Sequence, residues 1–125
     1  MHEHERWMQF ASLDLKSART LVNSDEPAIG IILYLCQQCA EKSLKAYLIY
    51  CGQPIKRTHD LEALNELCTK LDPEFQKLAS HALELTPYAA GTRYPDSYPF
   101  MMDIAEAKDG IKKATEIFDF VSNKI

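Results

Sequence analysis

The chain has 125 residues, a net charge of −4, 46% hydrophobic residues and 26% charged ones, which is the make-up of one soluble domain with enough chain to bury its own core. Four glycines and six prolines are too few for a collagenous or linker-like chain. The longest near-continuous apolar run, from Ala28 to Cys36, contains Gly30 and is about half a membrane span. No apolar signal core follows the charged start Met1-His2-Glu3-His4-Glu5-Arg6, so the expectation is a single domain over residues 1–125, intracellular and cytoplasmic, with no membrane partner.

Helical periodicity dominates, and no segment alternates as a strand does. The first helix is expected from about His4 to Val22, with Trp7, Ala11, Ala18 and Leu21 in one stripe. Phe10, Leu13 and Leu15 broaden that stripe, and Asp14 sits on it awkwardly. Asn23-Ser24-Asp25-Glu26-Pro27 breaks the chain; Ser24 or Asp25 is expected to cap the next helix, with Pro27 in its first turn. That second helix, Pro27 to Tyr50, is the most apolar and presents Gln37, Gln38, Glu41, Lys42 and Lys45 on its other face. Gly52 should end it as a left-handed cap.

Thr58 is expected to cap a short third helix with Asp60 in its first turn. Leu61, Leu64, Leu67, Cys68 and Leu71 supply the apolar stripe of that helix. Asp72-Pro73-Glu74 signals a restart, and a fourth helix follows with Phe75, Leu78, Ala79, Ala82 and Leu85 facing inward. Residues 87–100 hold three prolines, Gly91 and four aromatic residues. A loop of this length in a small domain is functional or disordered, and its aromatics argue for function. The last helix is expected from about Met101 to Asn123. The fold class is therefore all-α, an up-and-down antiparallel bundle of four long helices plus one short one.

Cys36 and Cys39 have metal-type spacing, but Cys51 and Cys68 do not form a second close pair. On the apolar face of the second helix they are expected to pack as small hydrophobes rather than bind zinc or perform redox chemistry, and no metal site is predicted. Charge is unevenly placed: Lys42 to His59 carries +4 with no acid, and the rest of the chain carries −8. Such a basic island suits a small anionic ligand better than a long nucleic-acid track.

Several polar groups carry two readings each. Glu41 and Lys45 are either a helix-surface pair or part of a site. Asp14 either pairs with a basic residue of a neighbouring helix or is functional. His59 either packs over the start of the third helix or moves protons near neutral pH. Arg93 either ties the loop to the bundle or contacts phosphate through two hydrogen bonds. His81, with no partner signature, is expected at the surface. A helix start preceded by Lys56 and Arg57 would seat a phosphate, and Tyr88, Tyr94 and Tyr98 offer faces for a base. The resulting candidate nucleotide-binding set is Lys42, Lys45, Arg57, Thr58, His59, Arg93 and Tyr94.

Trp7, Ala11, Asp14-Leu15, Ala18 and Leu21, then Gln37-Gln38-Cys39-Ala40-Glu41-Lys42-Ser43-Leu44-Lys45-Ala46, then Thr58-His59-Asp60-Leu61, then Arg93-Tyr94-Pro95-Asp96 together resemble the HEPN family (higher eukaryotes and prokaryotes nucleotide-binding) over nearly the whole chain. The resemblance implies a helical bundle that forms a homodimer and works with a minimal nucleotidyltransferase as a toxin–antitoxin-like pair. It implies an ATP- or GTP-like nucleotide as a ligand and no required cofactor. Some members are metal-independent endoribonucleases in which an Arg-x(4–6)-His motif from each subunit meets at the dimer groove. No arginine here is followed by histidine at that spacing, and Tyr98 stands five positions after Arg93. A ribonuclease acting on RNA would instead have to use Arg93 and His59 as its catalytic pair. A purely structural dimerisation partner is the third alternative.

Overall fold

Apolar residues three and four apart give five helices in the computed structural model, which describes residues 1–89 and 103–125. They are α1 (Glu3–Val22), α2 (Ile29–Tyr50), α3 (Leu61–Leu71), α4 (Ala79–Leu85) and α5 (Ile104–Ser122), and no strand occurs among the described residues. The all-α bundle expected from the sequence is the fold. Lys42 reaches Asp14, and Tyr50 meets His4 with ring centroids 5.1 Å apart, so α1 and α2 run antiparallel. Arg19 donates to Thr115 Oγ1 at 2.9 Å, while His4 and Met8 face Phe118 and Ile125, so α5 runs antiparallel to α1. Helix α2 touches α1, α3, α4 and α5 and is the axis of the molecule.

The core lies where these helices converge. Ala11, Leu15 and Ala18 of α1 meet Ile32, Cys36, Cys39, Ala40 and Leu44 of α2, and all are buried. Small residues let α5 approach closely: a Cβ at Gly110 would stand 2.8 Å from Leu33 Cδ2. Cys36, Cys39 and Cys68 are free, buried thiols, and burial pushes each up to about 12. They pack as hydrophobes, as expected.

Local chemistry moves several helix ends from where the sequence put them. Asn23 Nδ2 donates to Arg19 O at 3.1 Å and Ser24 Oγ to Leu21 O at 2.8 Å. These side chains therefore satisfy the carbonyls ending α1. Neither Ser24 nor Asp25 caps α2, which starts after Ala28 without a side-chain cap. Gly52, at φ 80°, ends α2 as expected: its N–H goes to Ile49 O and that of Gln53 to Leu48 O, both at 2.9 Å, the paired bonds of a Schellman motif. The helix expected over residues 73–85 is divided into a 3-10 segment, Pro73–Leu78, followed by α4. Its cause is Asn65, whose Nδ2 donates to Phe75 O at 3.0 Å. That carbonyl would serve Ala79 in an α-helix, and the Ala79 N–H bonds Gln76 O instead. Asp103 caps α5 through Glu106 N at 2.9 Å; residues 101 and 102, expected within that helix, lie outside the described residues.

Candidate functional site

A carboxylate in the middle of a buried helix face costs several kcal/mol unless donors surround it. Glu41 is only 5% exposed, and donors surround it. Lys45 Nζ lies 2.9 Å from its Oε2, His59 Nδ1 2.9 Å from its Oε1, and Gln37 Nε2 3.2 Å from the same oxygen. Burial works to raise the Glu41 pKa, but hydrogen bonds from Lys45, His59 and Gln37 outweigh it and hold the carboxyl below its usual range. Gln37 also donates to His59 O at 3.0 Å and accepts from Gln38 Nε2 at 2.7 Å. The four-residue spacing from Gln37 to Glu41 to Lys45 stacks all three on one helix face, and the turn carrying His59 closes over that face.

The His59 side chain is 74% exposed although its Nδ1 is anchored. A carboxylate at Nδ1 favours the N–H there and leaves Nε2 as an acceptor at the outer edge of the ring. That is the orientation proton transfer requires. Lys56 and Arg57 precede it on the exposed connector, and among the described residues neither forms a side-chain ion pair.

Several expected roles change once the geometry is known. Asp60, not Thr58, caps α3: its Oδ1 accepts from Glu62 N at 3.0 Å and Ala63 N at 3.3 Å. Thr58 Oγ1 accepts from Asp60 N at 3.1 Å, and Leu61 N donates to Thr86 Oγ1 at 3.2 Å. The amides that were to seat a phosphate are thus occupied by the chain's own oxygens. Lys42 bonds Asp14 at 2.5 Å and Lys45 is 7% exposed against Glu41, so two of the four cations in the basic island are neutralised internally. Asp14 follows the ion-pair reading. His81 is not a partnerless surface residue: its Nε2 pairs with Glu116 of α5, and its side chain is 23% exposed.

Arg93 and Tyr94, with Pro95, Asp96 and Tyr98, lie outside the described residues. The bond from Leu61 N to Thr86 Oγ1 does set the end of α4, from which the chain continues to them, beside the His59 turn. Among the described residues no group of three or more His, Cys, Asp or Glu side chains is placed to hold a metal ion, and no helix is long and apolar enough to cross a membrane.

Sequence reasoning missed one feature. Phe10 and Leu13 were to broaden the buried stripe of α1, but they are 56% and 55% exposed. Glu3, Arg6, Trp7 and Phe10 of α1 and Lys42 of α2 instead line an open cleft of about 340 Å³. Lys45 Nζ stands 5.9 Å from the centroid of the Trp7 ring, which links this cleft to the Glu41 network. The signal was present in the sequence: positions 10 and 13 lie off the arc shared by Ala11, Leu15 and Ala18.

Comparison with known proteins agrees with this architecture. The HEPN domain profile matches residues 4–124, so the chain belongs to the HEPN family. It is similar in structure to TT1696 from Thermus thermophilus, with a TM-score of 0.82 and 26% identity over 100% of both chains. It is also similar to ST0689, described as an archaeal HEPN homologue, with a TM-score of 0.75 and 27% identity over 99% of this chain and 98% of that one. No curated protein matches the sequence.

Proposed function

We propose that this HEPN domain is a nucleotide-binding module that works as a homodimer beside a minimal nucleotidyltransferase, as one half of a toxin–antitoxin-like pair. The observation that carries the reading is the His59 rim: an exposed imidazole held by buried Glu41, next to two cations that no acid among the described residues neutralises. Arg57 and Lys56 attract the phosphates, His59 supplies a fixed hydrogen-bonding edge, and Arg93 and Tyr94 are proposed to add a guanidinium and a ring. Lys42 and Lys45 act one step back, by fixing Asp14 and Glu41. Four free thiols suit work in the cytoplasm, where such groups stay reduced.

Thermal denaturation with ATP and with GTP tests this. Ligand at 100 times its dissociation constant stabilises a folded domain by about 2.7 kcal/mol, and Arg57→Ala and Arg93→Ala should each shrink that gain. The absence of a shift with either nucleotide rejects the reading.

A metal-independent endoribonuclease is the second reading, favoured by the Glu41–His59 hydrogen bond, which orients an imidazole as a general base needs. It predicts RNA cleavage in the presence of a chelator, lowered about 100-fold or more in His59→Ala and to a lesser extent in Glu41→Gln. RNA left intact by the wild-type chain excludes it.

A further inference from the structure

The cleft between α1 and α2 takes no part in the hydrogen-bonded network around Glu41. Its volume, about 340 Å³, is in the range of small-molecule sites (roughly 300–1,000 Å³). Its lining is unusual for a helix surface. Phe10 is more than half exposed beside a half-buried Trp7, so two π faces remain only partly covered. Lys42 is matched by Asp14, but among the described residues Arg6 and Glu3 form no side-chain ion pair. The cleft therefore offers flat apolar faces, one uncommitted guanidinium and one uncommitted carboxylate.

Each of these has a counterpart in one chemical class. Aromatic faces stack a planar heterocycle without demanding a particular one. A carboxylate accepts hydrogen bonds from the amino and ring N–H groups at the edge of such a heterocycle. A guanidinium takes a phosphate. A purely aliphatic ligand would leave the guanidinium and the carboxylate unused.

We propose that this cleft is the base-binding subsite for the nucleotide: the ring stacks on Trp7 and Phe10, its edge donors face Glu3, and Arg6 meets the phosphate nearest the sugar. The Trp7–Lys45–Glu41–His59 series, with steps of 5.9, 2.9 and 2.9 Å, joins the cleft to the His59 rim through side chains of the interior. The distal phosphates lie toward that rim. The inference rests on the nucleotide-binding reading above and adds to it where the base sits and what recognises it.

The chain has a single tryptophan, and it lines the cleft, so emission excited selectively at tryptophan reports on this subsite. Titration of the full chain with ATP or GTP should change Trp7 emission with the same midpoint as the thermal shift. Phe10→Ala and Arg6→Ala, both at exposed positions, should weaken that midpoint about 10-fold each while the circular dichroism spectrum stays unchanged. A nucleotide that raises the melting temperature without altering Trp7 emission, and with equal affinity for Phe10→Ala, overturns this subsite and leaves the functional reading standing. A chain whose melting temperature no nucleotide raises loses both. A Phe10→Ala variant that binds nucleotide normally but falls from dimer to monomer by light scattering makes the cleft a subunit contact, which also overturns the proposal.

Discussion

Replacing Glu41 with alanine should destabilise the domain by about 3–5 kcal/mol, the cost of leaving one member of a buried ion pair without its partner. Lys45, 7% exposed, would lose the only carboxylate bonded to it among the described residues, and Gln37 and His59 would lose an acceptor. Since a domain of this kind is stable by only about 5–15 kcal/mol, the loss should be plain in urea denaturation. The double variant Glu41→Leu with Lys45→Met removes both charges together and should fold with stability close to wild type, yet it leaves His59 without its anchor. If that variant still binds nucleotide normally, the network is structural only.

Glu41 also sets an acid limit. Its carboxyl titrates below the usual range in the folded chain and at the usual value in the unfolded one. It therefore contributes stability that is fully present above the unfolded value and is lost as pH falls through the folded one. Glu41→Gln should flatten the fall in stability as pH drops below the ordinary glutamate value of 4.5. A wild-type chain and a variant with parallel acid limbs would contradict the assignment.

Phe75→Ala should cost about 3–5 kcal/mol by opening a cavity. The ring is fully buried, 4.4 Å from the centroid of Tyr47 and 4.9 Å from that of Phe120, so it joins α2 to α5 across the 3-10 segment. At about 3 °C per kcal/mol for a chain of this size, the melting temperature should drop by roughly 10 °C. Phe75→Leu, which fills more of the space, should lose clearly less. Equal losses in the two variants would mean that the site collapses and that Phe75 is not the pin between these helices.

Much of the fold was legible because apolar spacing decides it. The stripe of α2 and the Gly52 stop follow directly from side-chain periodicity and from the conformational freedom of glycine. The caps were less so. Asn23, Ser24, Thr58 and Asp60 are all able to close a helix, and which carbonyl or amide each one takes depends on the angle at which the chain leaves, which tertiary packing sets. The break before α4 had no local signal, since it depends on Asn65 reaching across from α3.

For the candidate site, the four-residue spacing of Glu41 and Lys45 was visible, but their burial was not. Burial arises only when the turn before α3 folds over α2. The same folding encloses Lys45 with Glu41 and leaves Arg57 outside, while α1 supplies Asp14 to Lys42, so a run of like charges on paper becomes two internally paired cations and two external ones. Phe10 illustrates the converse: hydrophobicity suggested burial, and helix rotation put the ring at the surface.

Because α2 carries the core on one side and the ionised groups on the other, random mutagenesis scored by lost activity will concentrate on this one helix for two unrelated reasons. Substitutions at Leu44 and at Lys45, adjacent in the chain, would look alike in a genetic screen, although one empties the interior and the other frees a carboxylate. Only an assay that counts folded molecules separately from working ones can tell the two groups apart.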